Sequence, residues 1–366
     1  MYKRKDGLWA EAVTIEGEKR PKYFYGKTQA EVKKKIAAYH SKQAKGATVA
    51  ACLEEWYESR EKLVSYKTLE GYRAPIKRIV EAFGDERLED ITPSQIQAFI
   101  NGIARQGYKR TTVQRPLDVL RMCFDYFITK PGSKMRDNPC ASVRMPDGLT
   151  QESRDLITDE QRGKVIAGLN CEFGLFAFFV MFTGLRDGEA LAIRREDIDG
   201  ERIRVNKSVS WQPNQPVIKE PKTENGVREV PLLAPLAAAL PKRWSGYLFS
   251  ADGGKTPLTQ IEFRRRWNKY CQQAGLATSR VEVRESEGKN GRRQYRKTIW
   301  TNDICPYQLR HEFATICFDA EIDPKDAAEI MGHSDEQLTR KIYTHIRESR
   351  RADKFGKLKS FVENKY

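Results

Sequence analysis

Nothing in the 366 residues is apolar for long enough to cross a bilayer. The longest such stretch, Phe173 to Phe182, is half of the roughly 20 residues a spanning helix needs. The N-terminus, MYKRKDGLWAEAV, lacks the apolar core of a secretory signal. Membrane and secreted readings therefore go first. The seven cysteines are scattered without a C-x-x-C pair, which fits reduced thiols in a cytoplasm and offers no zinc site. Histidine is scarce at four, and the acids show no metal-ligand spacing. Neither G-x-x-x-x-G-K-[ST] nor G-x-G-x-x-G occurs, so nucleotide hydrolysis has no phosphate cradle. No metal and no cofactor is expected. Internal repeats and low-complexity tracts are absent as well.

Acids are the minority among the charges. Sixty-five Lys and Arg stand against fifty Asp and Glu, a net +15 that favours a polyanionic partner such as nucleic acid. Residues 1–46 hold twelve bases and five acids, nearly half of the surplus in an eighth of the chain. That segment reads as a separate DNA-contacting module. Trp9 to Ile15 alternates as a strand, Glu16-Gly17-Glu18 turns, and Lys22 to Tyr25 supplies a second strand. Thr28 and Glu31 then form a capping-box pattern opening a helix. A β-ribbon carrying Lys22 and aromatics can enter a DNA groove; a solvated basic hairpin is the alternative. Gly46 and Ala47 mark a hinge.

Residues 48–130 read as four helices, opened by Thr48, near Tyr66, by Thr92-Pro93 and near Thr111. Lys67, Arg73, Lys77, Lys109, Arg110 and Arg115 lie among their apolar positions and face either phosphates or solvent, with Lys67 and Arg110 singled out as DNA contacts. Asn138-Pro139 and Pro146-Asp147-Gly148 punctuate a linker. Beyond Leu156 the pattern is mixed. Thr158 and Gln161 cap one helix, Phe173 to Phe182 forms a buried one, and Arg202 to Val209 and Val227 to Leu232 read as strands. Residues 279–297 carry seven bases and three acids in a β-hairpin pattern turning at Lys289-Asn290. Arg292 and Arg293 lie on it, facing either DNA or solvent.

Several short motifs follow in order. Thr183-Gly184-Leu185-Arg186-Asp187-Gly188-Glu189 places an Arg at a turn entering a helix, where amides and guanidinium together suit an anion. Pro221 to Leu232 reads as a hairpin with Lys222 near its tip. Tyr307-Gln308-Leu309-Arg310-His311 opens another helix. Gly332-His333-Ser334 is followed ten residues after the His by Tyr343, in Ile342-Tyr343-Thr344-His345. On that last helix Leu338, Ile342 and Ile346 make the expected apolar face, with Tyr343 off it beside Thr339 and Arg347.

With these motifs the chain resembles the tyrosine recombinases, the lambda-integrase-like enzymes of phages and conjugative transposons. T-G-x-R-x-x-E, K-T-x-x-x-x-R, L-R-H, G-H-S and I-Y-T-H in this order are together specific, and the likeness covers nearly the whole chain. It implies a multidomain fold: a small β-sheet-plus-helix arm-site DNA-binding domain at 1–46 and an all-α core-binding domain at 47–135. A linker at 136–153 leads to a mixed α+β, mainly helical catalytic domain at 154–349, with 279–297 as a basic hairpin insertion. A tail at 350–366, with Phe355, Leu358 and Phe361, would contact a neighbouring protomer or fold back in cis.

The resemblance also implies roles. Arg186 and Arg310 grip the scissile phosphate, whose charge their planar forks match. Lys222 protonates the departing 5′-oxygen, with Lys219 as a rival. His333 bonds the phosphate or orients the nucleophile, and Tyr343 attacks phosphorus to leave a 3′-phosphotyrosine. Glu189 matches an acidic position that braces the site. Tyr307 stands where the family usually has His; a phenol, with an ordinary pKa of about 10, positions rather than titrates at neutral pH. The implied enzyme integrates or excises a mobile element or prophage as a homotetramer on core and arm attachment sites in double-stranded DNA. An excisionase or a host DNA-bending protein would be further partners. Two rivals stay open: a type IB topoisomerase with the same chemistry, and a non-catalytic DNA-binding regulator.

Overall fold

The computed structural model describes residues 1–13, 21–44, 47–133, 135–150, 156–221, 226–288, 291–333 and 335–365. In segments 37–44, 286–288, 291–293, 349–354, 357–358 and 364–365 it describes the backbone alone. The chain divides into two compact units, Met1–Ser153 and Arg154–Tyr366.

The first unit opens with a three-stranded antiparallel sheet, β1 (Tyr2–Lys3), β2 (Trp9–Val13) and β3 (Lys22–Gly26), in that order. Trp9 lies opposite Gly26 and Val13 opposite Lys22. Thr14, Ile15 and the Glu16-Gly17-Glu18 turn lie outside the described residues. Helix α1 (Gln29–Ala44) shows half of the expected capping box: Thr28 Oγ1 accepts from Glu31 N at 3.2 Å, while Glu31 Oε2 accepts from Lys27 N at 2.9 Å rather than from Thr28 N. It packs on the sheet through Val32, fully buried.

Four further helices follow: α2 (Val49–Arg60), α3 (Tyr66–Phe83), α4 (Pro93–Arg105) and α5 (Arg110–Ile128). Thr48, Ser65 and Thr92 accept from the amides three residues on, satisfying donors that a helix start otherwise leaves open. The helices close over Leu53, Trp56, Ile79, Ile96, Ile100, Leu117, Leu120 and Phe124. Each such side chain contributes about 1.5–3 kcal/mol on burial. Lys22, Lys67 and Arg110 are exposed.

In the second unit α6 (Asp159–Ala167), α7 (Gly174–Thr183) and α8 (Asp187–Ala192) precede five strands and α9 (Ala234–Ala239). The expected strand Arg202–Val209 is two, β5 (Arg202–Val205) and β6 (Ser208–Gln212), with β4 (Ile198–Asp199) before them. The expected 221–232 hairpin is also corrected. Strand β7 (Gln215–Lys219) pairs with β6 around Pro213-Asn214, whereas β8 (Arg228–Pro231) pairs with β5. The turn-forming Pro-Asn dipeptide takes the hairpin, β7 and β8 belong to different sheets, and Lys222 between them lies outside the described residues.

Helix α10 (Gln260–Gln273) sets Phe263 and Trp267 against Phe176, their rings 5.3 and 6.3 Å from it. The basic segment is a hairpin longer than expected, β9 (Ala277–Gly288) on β10 (Gly291–Asn302), with its Lys289-Asn290 turn outside the described residues. Arg292 and Arg293 lie on β10 opposite Glu287 and Ser286. Three helices end the chain: α11 (Pro306–Asp319), α12 (Pro324–Met331) and α13 (Glu336–Lys365). The apolar stripe of α13 is Thr339, Ile342, Tyr343 and Ile346, not Leu338, Ile342 and Ile346, because Leu338 is exposed. That i, i+3, i+4, i+7 spacing puts Tyr343 on the buried face.

Candidate active site

The turn between α7 and α8 explains its own sequence. Thr183 is buried and donates its hydroxyl to Phe179 O at 2.7 Å. Gly184 caps α7 at φ +65°, and a Cβ there would lie 2.5 Å from Phe313 Cδ1, so glycine is demanded twice. Arg186 then starts α8. Its backbone N–H is taken by Glu189 Oε2 at 3.0 Å, so this amide is not open to an anion as the sequence suggested. The guanidinium is placed instead: Nη1 donates to Glu189 Oε1 and Nη2 to Gly332 O, at 2.7 and 2.8 Å.

Helix α11 supplies the second guanidinium. Arg310 is 1% exposed, donates from Nη1 to Gly184 O at 2.6 Å, and stands 3.9 Å from Glu189 Oε2. Its buried Nη2 has no hydrogen-bond partner among the described residues. Burial and the nearby Arg186 pull its pKa down to about 9, leaving it cationic at neutral pH. An unpaired donor on a desolvated cation is a site that an anion completes.

The third element is the end of α12. Gly332 lies at φ +68°, its N–H bonds Glu329 O, and the His333 N–H bonds Ala328 O, a Schellman closure. This turn aims His333 inward, where Nδ1 lies 2.8 Å from Thr339 Oγ1. Nε2 is the ring nitrogen not engaged by Thr339. Burial, then the charges of Arg310 and Arg186, push the imidazole down to about 3, so it is neutral at physiological pH.

A buried carboxylate joins these parts. Glu189 accepts from Arg186 and from Arg228 Nη2 at 2.8 Å. Burial alone would raise its pKa, but the bond and charge of Arg228, with those of Arg186, hold it below the usual carboxylate range. Three guanidiniums around one carboxylate leave a net charge of about +2 facing a neutral imidazole.

Residues 168–350, half of the chain, match the phage integrase family, and residues 48–104 match its N-terminal SAM-like domain. The chain belongs to the phage integrase family. It is a tyrosine recombinase, an enzyme that cuts and rejoins DNA at specific sites. It is 24% identical to a tyrosine recombinase XerC-like protein of Caldanaerobacter subterraneus subsp. tengcongensis, over 89% of this chain and 88% of the relative. It is 25% identical to the ICEBs1 integrase of Bacillus subtilis, over 77% and 74%. The fold is shared with the Tn1549 transposon integrase, at TM-score 0.62 and 20% identity over 84% of this chain and 98% of that one. It is shared too with a lambda integrase dimer bound to a COC′ core site, at TM-score 0.57 and 18% identity over 93% of each.

Within this integrase fold the sequence-expected residues are only partly assembled. Arg186, Arg310 and His333 are together. Tyr307 sits one turn before Arg310, its ring 4.6 Å from that of His311. Lys222 lies outside the described residues. Tyr343 stands apart: its hydroxyl donates to Ile322 O at 3.2 Å, and its ring packs edge-on against Phe318. Burial, with Cys317 and Asp323 nearby, pushes the phenol's pKa up. Ile322 follows the C-terminal end of α11, and Arg310 lies in its first turns. Nine residues of helix at about 1.5 Å each separate Arg310 from that end. Sequence reasoning gave Arg228 no role, although it closes the K-T-x-x-x-x-R motif. Its signal was available: Arg228 and Val230 alternate on one strand, and a charge sharing the inward face with a buried Val marks a buried ion pair.

Proposed function

We propose that this recombinase integrates and excises a mobile element through a 3′-phosphotyrosine at Tyr343. The observation that carries the reading is the cluster of Arg186, Arg310, Arg228 and Glu189 beside neutral His333. A phosphodiester carries one negative charge and its pentavalent transition state about two. A preorganised +2 site therefore stabilises the transition state more than the ground state. Arg310 Nη2 and the Arg186 fork bind the nonbridging oxygens, and His333 Nε2 bonds the phosphate or the attacking oxygen. Tyr307 positions the phosphate by hydrogen bonding. Lys222 gives a proton to the departing 5′-oxygen. The phosphotyrosine keeps the energy of the phosphodiester, so a 5′-hydroxyl from another strand reverses the step without ATP.

Tyr343 must leave Ile322 and Phe318 before it can attack. We read its buried placement as the resting position of the nucleophile in the free protein. The domain plan of the sequence reading is retained as part of the proposal: 1–46 for arm sites, 47–135 for core DNA, 136–153 as linker, 154–349 for catalysis. Lys22, Lys67, Arg110, Arg292 and Arg293 are assigned to DNA phosphates. The tail at 350–366 continues α13, with Phe355 and Phe361 exposed on it as a protomer contact. A homotetramer on DNA is proposed because lambda integrase, a structural neighbour at 19% identity, is a tetramer on a Holliday junction. Core and arm attachment sites, an excisionase and a host DNA-bending protein remain the proposed partners, and the cytoplasm the proposed location. Among the described residues no helix is long and apolar enough to cross a membrane.

A suicide substrate, whose cut strand loses its short 5′-hydroxyl end, tests the reading by trapping the covalent complex. Arg186→Ala and Arg310→Ala should each slow trapping by about 10²–10³-fold, the loss that follows removal of one preorganised donor. Wild-type rates in either variant would remove that residue from the site. Relaxation of supercoils on DNA without an attachment site would favour the topoisomerase reading.

A further inference from the structure

Arg228 lies on the inward side of β8, and its guanidinium is 6% exposed. All three of its nitrogens are engaged. Nη2 bonds Glu189 Oε2 at 2.8 Å, Nε bonds Ile330 O at 2.8 Å, and Nη1 makes longer contacts to Glu189 Oε1 at 3.4 Å and Gly226 O at 3.5 Å. The same guanidinium lies beneath Gly332, where a Cβ would fall 2.7 Å from Nη1. One planar group thus touches the carboxylate shared with Arg186 and Arg310, the Ile330 carbonyl near the end of α12, and the Gly226 carbonyl just ahead of β8. A lysine has one nitrogen and cannot span these points at once.

We propose that Arg228 is a positioning residue for the phosphate site: it locks Glu189, and with it Arg186, to the Ile330–His333 turn, and so sets the guanidinium-to-imidazole geometry that receives the scissile phosphate. It reaches no reacting atom itself. Its place is behind Glu189, with Arg186, 42% exposed, on the open side. This rests on the proposed function of the same site. A rival account makes Arg228 a buried ion pair that serves stability alone.

The test compares full-length wild type, Arg228→Lys, Arg228→Met and Arg202→Met. Arg202 is 73% exposed and pairs with Glu229 on the outer face of the same sheet. Each protein is assayed for thermal midpoint, noncovalent core-DNA affinity and single-turnover adduct formation on a suicide substrate from pH 5 to 8. Arg228→Lys should fold, bind core DNA with unchanged Kd, and form adduct about 10–100-fold more slowly, the loss typical when an outer partner of a site residue is removed. Arg228→Met should be at least as slow. Arg202→Met should match wild type. If Arg228→Met does not fold, the Lys variant decides. Wild-type adduct rates in Arg228→Lys, or an equal slowing in Arg202→Met, would overturn the assignment. An adduct missing from wild type itself would count against the proposed function instead.

Discussion

His333 and Tyr343 lie ten residues apart, and burial acts oppositely on their chemistry. It favours the neutral form of the imidazole and the protonated form of the phenol. The stability consequence for His333 has a definite sign. Its folded pKa, about 3, lies below the ordinary value of about 6.5. Between those values the unfolded chain holds a proton that the folded chain refuses. Stability should therefore fall as pH drops through this window, by up to about 1.4 kcal/mol per pH unit from this residue. Urea unfolding at pH 7, 6 and 5 should show a flatter dependence in His333→Gln, and an unchanged slope would argue against a neutral buried imidazole. Tyr307→Phe should slow cleavage by about 1–3 kcal/mol if its hydroxyl positions the phosphate. Unchanged single-turnover cleavage would leave Tyr307 a packing residue.

Under the proposed function, helix α13 carries the first movement of the reaction, because Tyr343 lies on it. Cys317 is buried in the same cluster as Tyr343, and burial pushes its thiol up to about 11, so it should resist alkylation in the free protein. Release of Tyr343 should uncover it. Maleimide labelling of Cys317, followed by peptide mass spectrometry, should accelerate on binding a cleavable core site; adduct formation with Cys317 still protected would contradict the parked-nucleophile account. The helices of both units were legible because their caps and periodicities are local: Thr92 with Gln95, Thr158 with Gln161, and Thr48 all cap as read. What was misread depends on tertiary context. The Tyr343 stripe was assigned from Leu338, which is apolar yet exposed. The Pro221–Leu232 hairpin fails because β8 prefers β5, a pairing between segments over 20 residues apart. Arg228 escaped notice because its partners, Glu189 and Ile330, are 39 and 102 residues away.

The whole molecule concentrates positive charge at one end, with a net +7 in residues 1–46 against +15 overall. Deleting 1–46 should weaken arm-site binding and lower the slope of log affinity against log salt, since fewer phosphate counterions are released. Unchanged arm-site affinity would remove that role from the segment. The proposed chemistry is one covalent event at one oxygen. The most direct measurement is to trap the protein on a suicide core substrate, digest the denaturation-resistant complex, and locate the nucleotide-bearing peptide by mass spectrometry. The expected result is a 3′-phosphoryl link to Tyr343, absent in Tyr343→Phe, which still binds the site. A 5′ link, a link to another residue, or an adduct persisting in Tyr343→Phe would contradict it.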